Sequence, residues 1–207
     1  TVHVKFSGVS ANRTVNMSTS HTETFTINVP YIVDPNGNGD YTTIQAAIDN
    51  STSGGTIYVW AGTYNEDILV NKTLSLIGNG TASSIINGTG NTMVVTIHYS
   101  ANWVNFSGFK VQNGGGGSAG YFSINVAGNN NVVKSNDIRN DDWGGITVGS
   151  YNTIEDNYIQ CNTNGIESTG NYNNIIGNTI NGADKGISSE GNNNVIQNNT
   201  IKNTDGD

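Results

Sequence analysis

The best candidates for acid–base chemistry in this sequence are Asp137 and Asp156, with Arg139 and Tyr158 beside them. If the repeated pattern described below stacks one repeat on the next, Asp137 lies beside Tyr158 and Arg139 beside Gln160. The two carboxyl groups would then be diagonal neighbours, roughly 8 Å apart by strand geometry. Such a separation suits the acid and base of an inverting glycosidase. The alternative, which we favour, is a solvated outer face with no catalytic role.

A second group of residues has the chemistry of sugar contact. An acidic corner is followed at once by an aromatic residue, and further aromatic residues recur in later repeats. Exposed aromatic rings pack against the apolar faces of ligands, and nearby carboxylates can accept hydrogen bonds from hydroxyl groups. The candidates for carbohydrate contact are Asp141, Asp142, Trp143, Tyr151 and Tyr172, with Trp103 as an extension.

One segment matches the opening of a calcium-binding loop. Asp34, Asn36, Asn38 and Asp40 place oxygen-bearing side chains at alternate positions with glycines between them. The twelfth position of such a loop normally supplies a bidentate Glu, but here it is Gln45. The same string also forms an ordinary turn, so we predict no cofactor other than this candidate Ca²⁺ site.

These side chains are positioned by a repeat of 21 residues that runs from residue 128 to residue 201. It contains a glycine, two asparagines and two branched aliphatic residues at fixed places. A constant period over several repeats is typical of a solenoid. The apolar residues come in short runs bounded by Asn and Gly, which indicates strands and sharp corners rather than helices. The aligned positions are Asn131, Asn152, Asn173 and Asn194; Val133, Ile154, Ile175 and Ile196; Asn136, Asn157, Asn178 and Asn199; and Ile138, Ile159, Ile180 and Ile201.

The sequence therefore predicts an all-β fold, a right-handed single-stranded parallel β-helix with one coil per repeat. We expect the aliphatic columns to point inward and the Asn columns to stack as side-chain amide ladders, at corners where Asn tolerates left-handed backbone. The glycines before one strand shift by one residue, since Gly144 or Gly145 aligns with Gly165 and Gly186. This shift predicts a one-residue bulge beside residues 141–143.

The chain divides into two pieces, a strand extension over residues 1–30 and a β-helix over residues 31–207. Residues 1–6 and 22–29 alternate apolar and polar residues, which predicts two strands, and the polar segment between them is expected to be a loop. A short helix over residues 42–49, with Thr42 or Thr43 as its N-cap, has Ile44, Ala47 and Ile48 on one face. We expect this helix to cap the N-terminal end of the core.

Composition limits the environment and the partners. The formal net charge is −8 with only 8 basic residues, which argues against nucleic acid and anionic membrane surfaces as partners. No apolar run is long enough to span a membrane. An extracellular or cell-surface location is indicated by eight potential N-glycosylation sites, at Asn12, Asn16, Asn50, Asn71, Asn79, Asn87, Asn105 and Asn198.

The segments "DYTTIQAAID", "IYVWAGTYNEDILV" and "LSLIGNG…SSIING", all within residues 34–88, resemble the N-terminal part of the pectin methylesterase superfamily. Residues 104–201 resemble the generic β-helix repeats of pectate-lyase-like folds and of archaeal and bacterial surface proteins. The resemblance implies the fold. The esterase activity is not implied, because the Gln-Asp-Thr, Asp-Phe-Ile-Phe-Gly and Leu-Gly-Arg-Pro-Trp motifs of the family are absent from the sequence.

Two functions remain open at this point. The first is a non-catalytic structural scaffold or self-assembling subunit at the cell surface, joined head to tail through residues 1–30 and an open C-terminal coil. The second is a carbohydrate-active enzyme or carbohydrate-binding module acting on a polysaccharide. Because the catalytic motifs are absent, we favour the first.

Overall fold

A computed structural model describes residues 2–6, 9–13, 29–90, 93–114, 122–139 and 144–203, with backbone alone for the first two ranges. The chain opens with an antiparallel pair of strands, β1 (Val2–Phe6) and β2 (Val9–Arg13). The predicted strand at the N-terminus is therefore confirmed, but the loop predicted after it is wrong, since β2 forms within it. The two five-residue strands pair along their whole length, from Val2 with Arg13 to Phe6 with Val9. The second predicted strand lies outside the described residues, apart from Val29.

The remaining elements follow in repeating groups of three strands, with one short helix in the first group. In chain order they are β3 (Tyr31–Val33), α1 (Ile44–Asn50), β4 (Gly55–Val59), β5 (Gly62–Tyr64), β6 (Ile68–Val70), β7 (Leu74–Gly78), β8 (Ser84–Asn87), β9 (Val95–Ile97), β10 (Asn105–Ser107), β11 (Lys110–Gln112), β12 (Phe122–Val126), β13 (Val132–Lys134), β14 (Asp137–Arg139), β15 (Gly144–Val148), β16 (Thr153–Glu155), β17 (Tyr158–Gln160), β18 (Asn164–Ser168), β19 (Asn174–Ile176), β20 (Thr179–Asn181), β21 (Lys185–Ser189), β22 (Val195–Gln197) and β23 (Thr200–Lys202).

Every third strand joins the same sheet, so the chain winds through three parallel sheets in turn. The first sheet has eight strands (β3 to β22), the second has seven (β5 to β23) and the third has six (β6 to β21). Each strand pairs with the strand one coil before and one coil after it. The fold is a right-handed parallel β-helix, as predicted.

The register follows the repeat. Val133 pairs with Ile154 and Ile138 with Ile159, both at the predicted offset of 21 residues. In the third sheet Ile146 pairs with Ile166, an offset one residue shorter, so the predicted one-residue shift is confirmed. The extra residue falls between Arg139 and β15, and residues 140–143 lie outside the described ranges.

The core consists of aliphatic columns that continue from coil to coil. Six of the seven residues predicted to point inward are fully buried; the seven are Val133, Ile138, Ile154, Ile159, Ile175, Ile180 and Ile196. Before the regular repeats, Phe106 and Phe109 fill the same space with stacked rings 4.8 Å apart. Ile196 is the exception, since 49% of its surface is exposed. It continues the inward column, but no described coil covers it.

The helix α1 closes the N-terminal end of this core. Thr43 is the N-cap, and its hydroxyl accepts a hydrogen bond from the N–H of Ala46. The predicted apolar face of Ile44, Ala47 and Ile48 is completely buried, so the capping helix is confirmed. The carboxylate of Glu66 reaches the start of the helix, where it accepts hydrogen bonds from two backbone N–H groups at 2.8 and 2.9 Å. A carboxylate is favourable there because it satisfies N–H groups that have no partner within the helix.

Two columns of buried asparagines bind the coils together at the corners that precede β13 and β14. In the first column, the side-chain oxygen of Asn152 accepts from the backbone N–H of Asn131, and its amide nitrogen donates to the carbonyl of Gly128. In the second, the oxygen of Asn157 accepts from both the backbone and the side-chain nitrogen of Asn136, each at 3.1 Å. Side chains therefore contact each other directly only in the second column.

The left-handed residues of these corners are not the column asparagines. They are the residues immediately before them, including Asn130, Tyr151 and Tyr172 ahead of the first column and Ser135 and Asp156 ahead of the second. One left-handed residue turns the chain through the corner, and the next residue can then direct its side chain inward to bond the neighbouring coil. Our prediction of left-handed backbone at the column asparagines was wrong by one position.

Candidate functional site

The outer face of β14 and β17 holds the candidate acid–base residues. Asp137 pairs with Tyr158 and Arg139 with Gln160, as the repeat predicts. The guanidinium of Arg139 donates to both carboxylate oxygens of Asp137, at 2.6 and 3.2 Å, and its carbon lies 4.3 Å from the centre of the Tyr158 ring. The hydrogen bond to Asp137 raises the pKa of Arg139 above its ordinary value. The carboxylate of Asp137 is thus already held by a cation.

Asp156 lies in the corner between β16 and β17, in left-handed backbone with φ +52°. Its side chain is exposed, and its carboxylate lies against Gly177 in the following coil, on the side away from Asp137. The two candidate carboxylates therefore have different surroundings. One is paired with Arg139, and the other faces solvent beside a glycine that has no side chain to obstruct it.

The candidate calcium loop is organised around Asp34, which is only 4% exposed. Its carboxylate accepts hydrogen bonds from the backbone and side-chain nitrogens of Asn36, at 2.9 and 3.1 Å, and from the side chain of Asn38 at 2.8 Å. Asp40 accepts from the N–H of Ile32 at 2.8 Å. A bound cation would have to displace these donors, because the amides direct nitrogen rather than oxygen toward Asp34.

The donors around Asp34 lower its pKa below the ordinary value, the backbone N–H of Asn36 being the largest cause. A carboxyl group whose folded pKa is depressed stabilises the fold above its unfolded pKa. That contribution is lost as the pH falls through the lowered folded value. The contribution of Asp34 to stability is therefore fully present at neutral pH.

A third feature is a surface that we call the aromatic corner, formed by residues 98–104, 127–131, 149–152 and 169–173, where the chain passes from the third sheet to the first. Tyr151 and Tyr172 lie here in successive coils, with parallel rings 5.0 Å apart at an angle of 11°. About half of each side chain is exposed, and Trp103 and Tyr99 on the same corner are exposed further. No Asp, Glu, Lys or Arg occurs in these ranges.

Two of the predicted carbohydrate-contact residues, Tyr151 and Tyr172, lie within the described part of the chain, and they come together as the repeat indicated. Residues 141–143, with Asp141, Asp142 and Trp143, lie outside the described residues. The sequence did not single out Tyr99, whose ring packs against His98 with a centroid separation of 4.0 Å.

The backbone at the aromatic corner is under local strain. Trp103, Tyr151 and Tyr172 all have φ between +59° and +61°. Bulky residues are rare in this region, where an L-residue costs roughly 1–2 kcal/mol. Asn adopts it more readily, and Asn130 and Asn193 occupy the equivalent positions of the neighbouring coils. Tyr151 and Tyr172 directly precede positions of the first asparagine column, but bulky residues give no propensity signal for left-handed backbone, so the sequence did not predict it.

The potential glycosylation sites differ in accessibility. Asn50, Asn71, Asn79 and Asn198 are exposed, whereas Asn87 and Asn105 are half-buried. Asn12 lies on β2, where only the backbone is described, and Asn16 lies outside the described residues. The side-chain nitrogen of Asn87 donates to Asn65 at 2.8 Å, so attachment of a glycan there would cost that hydrogen bond.

Cys161 is buried, and burial raises the pKa of its thiol to about 11.

Within the described ranges, His, Cys, Asp and Glu side chains form no group of three or more that could hold a metal ion. The same part of the chain contains no helix with the length and apolarity to cross a membrane.

These observations define the fold as a right-handed parallel β-helix with a helical N-terminal cap. The pectinesterase family model matches residues 30–114. The resemblance of the N-terminal part to pectin methylesterases is thereby confirmed.

Solved structures share the fold across most of the chain. A pectin methylesterase from carrot superposes with a TM-score of 0.65 at 20% identity, covering 87% of this chain and 65% of the enzyme. The catalytic domain of a GH87 α-1,3-glucanase in complex with nigerose superposes with a TM-score of 0.61 at 19% identity, covering 90% of this chain and 37% of that domain. These identities show a common fold.

A relative in sequence is a protein named cell surface glycoprotein from Methanothermus fervidus (strain ATCC 43054 / DSM 2088 / JCM 10308 / V24 S). It is 41% identical over 102 residues, which cover 48% of this chain and 16% of that protein. The chain thus aligns with a small part of a much longer surface protein.

Proposed function

We propose that this chain is a non-catalytic β-helix scaffold that acts at the cell surface. The observation that carries the proposal is the unbroken stack of three parallel sheets, in which each coil is bonded to the next. The first sheet alone extends over seven strand spacings, about 34 Å. The cell surface glycoprotein that is similar to this chain supports the location.

We further propose that the two asparagine columns act as ladders that hold the coils in register. Their members are at most 2% exposed from Asn131 to Asn178, so each hydrogen bond of a side-chain amide is shielded from water. The side-chain amide of each asparagine bonds the backbone of the preceding coil, and this contact fixes the offset between the two coils. Such a scaffold resists sliding of one coil past the next, because a slip breaks every bond in a column.

The surroundings of the acidic side chains support a structural rather than a catalytic role. Asp34 holds the first loop, Glu66 holds the start of α1, and Asp137 is paired with Arg139. Asp67 likewise accepts a hydrogen bond from the hydroxyl of Thr89 at 2.5 Å. Glu66 and Asp67 bond to residues about one coil away, whereas Asp34 and Asp137 bond within their own loop or strand, so all four carboxylates are engaged in hydrogen bonds of the fold.

The last described coil supports a role for the chain as an assembling subunit. Ile196 and Ile201 are 49% and 46% exposed, although the equivalent residues one coil earlier, Ile175 and Ile180, are fully buried. The strands β21, β22 and β23 are also the outermost strands of their sheets. We propose that this face accepts residues 1–30 of a second copy. The outer edge of β1 or β2 could add backbone hydrogen bonds, which is how strand addition gives affinity.

Sizing the chain by light scattering tests this part of the proposal. The intact chain is expected to form species larger than one copy that dissociate on dilution, because the donor and acceptor ends differ and the contact is head to tail. Deleting residues 1–28, or replacing Ile201 with Asn at the open face, should each give a monomer. An intact chain that is monomeric at high concentration would contradict assembly, and so would association that survives both changes.

A further inference from the structure

The stacked tyrosines of the aromatic corner are flanked by a short side chain on both sides. Asn130 precedes Tyr151 in the column and Asn193 follows Tyr172, and all four have left-handed backbone. Since the two rings cover each other's inner faces, their outer faces point along the column toward these asparagines. Trp103 occupies the next position beyond Asn130, as shown by the pairing of Asn105 with Val132.

The fold does not require aromatic residues at these positions. Tyr151 and Tyr172 are half-exposed and contribute nothing to the buried core. Their backbone conformation disfavours bulky side chains and suits Asn, which is the residue found in the coils on either side. Strained conformations that the surrounding structure maintains are concentrated at binding and catalytic sites. We therefore look for the role of the two rings in contact with another molecule.

We propose that the aromatic corner binds a neutral polysaccharide, with a pyranose ring packed on the outer face of Tyr151. Trp103 lies two coils from Tyr151, about 9.6 Å along the stack by strand spacing. One sugar ring fits between two aromatic groups at that separation, with the amide of Asn130 beneath it as a hydrogen-bonding group. The C–H face of a pyranose is apolar and its hydroxyl groups are polar, which matches rings bordered by amides.

The absence of charge in the sequence of this corner selects the class of polysaccharide. Residues 98–104, 127–131, 149–152 and 169–173 include no Lys or Arg that could pair with a uronate. In the coils that flank these ranges at the same corner, Lys72 donates to the backbone carbonyls of Asp49 and Ser51, and Glu190 is acidic. The chain as a whole carries a net charge of −8, which repels polyanions at long range. The ligand class is therefore a neutral hexose polymer rather than an acidic galacturonan. This inference does not depend on the scaffold proposal, because an enzyme or a scaffold could carry the same surface.

The experiment compares the intact chain with the double variant Tyr151→Asn/Tyr172→Asn, which installs the residue that the neighbouring coils already use. Binding to cellohexaose, laminarihexaose, mannohexaose and hexagalacturonate is measured by titration calorimetry, with thermal unfolding in parallel. The intact chain is expected to bind at least one neutral hexaose. The double variant should bind it at least about tenfold more weakly and should melt at the same or a higher temperature. The matched control is Tyr58→Asn, which removes an exposed tyrosine from β4 and should leave binding unchanged.

Three results would overturn the proposal. One is the absence of binding to any of the three neutral hexaoses. Another is tighter binding of hexagalacturonate than of the neutral sugars, which would contradict the ligand class. The last is unchanged binding in the double variant, which would place the site elsewhere. A double variant that unfolds at a markedly lower temperature would show that the rings serve the fold, and it would overturn the argument from strain.

Discussion

Replacing Ile159 with Asn is expected to lower the free energy of unfolding by about 5 kcal/mol. Ile159 is fully buried and pairs with Ile138 in the coil before and Ile180 in the coil after. The substitution removes a large apolar side chain from the centre of this column and leaves a polar amide without a designed partner. For a chain of this size the melting temperature should fall by roughly 15 °C. Urea unfolding followed by circular dichroism measures the difference.

The matched control is Ile201→Asn, the same substitution in the same column at the open end. Ile201 pairs with Ile180 but is 46% exposed, so Asn can be hydrated there. At dilutions where the chain is monomeric, we expect a loss below about 1.5 kcal/mol, since little burial is given up. If both variants melt together with the wild type, Ile159 is not in the core and the assigned register is wrong.

Replacing Asn157 with Leu is expected to destabilise the fold by about 4 kcal/mol, although Leu is the more hydrophobic residue. The side chain of Asn157 makes four hydrogen bonds: two accepted from Asn136, one donated to the carbonyl of Val133 and one donated to Asn178. Asn157 is only 2% exposed, so water cannot replace these bonds. Buried polar groups on both neighbouring coils would lose a partner together.

Asn199→Leu is the control for this second substitution. Asn199 accepts from Asn178 and donates to Ile175 in the same pattern, but it lies in the last described coil and is half-buried. Water can reach the groups it leaves, so its effect should be less than half that of Asn157→Leu. Equal stability of Asn157→Leu and the wild type would show that the column does not fix the coils.

The regular coils could be predicted from the sequence because the repeat carries its own alignment. Once Val133, Ile154 and Ile175 are placed at one position, the strands, the inward face and the offset follow from period and alternation alone. The helix α1 could also be predicted from the sequence, since its N-cap and apolar face are local features. The solvent exposure of individual side chains was harder to predict from the sequence. Ile196 has the same sequence context as Ile175, and only the absence of a covering coil among the described residues makes them differ.

The irregular coils were harder to predict because strands of three residues carry little periodicity. The strand β5 (Gly62–Tyr64) was missed, since Gly62 and Thr63 give no apolar signal, and its buried Tyr64 is held by hydrogen bonds to the carbonyls of Val33 and Trp60. Similarly, the segment of β2 reads as polar, and its pairing with β1 decides its conformation.

The candidate sites were predicted in part. The repeat shows which residues pair, but it does not show the conformations of their side chains and backbone. The pairing of Asp137 with Tyr158 follows from the repeat, but the two hydrogen bonds from Arg139 depend on side-chain rotamers. The stacking of Tyr151 on Tyr172 follows from the same repeat. The left-handed backbone beneath them does not, because bulky residues give no propensity signal for that conformation.

The most direct test of the central claim, a scaffold without catalysis, is a turnover assay of the purified chain. Methyl-esterified pectin, polygalacturonate and α-1,3-glucan are the substrates, and Asp137→Asn is assayed beside the wild type. We predict no product above the buffer control from any substrate, with the wild type and the variant indistinguishable. Product released by the wild type and abolished by Asp137→Asn would contradict the claim and would make this face of β14 an active site.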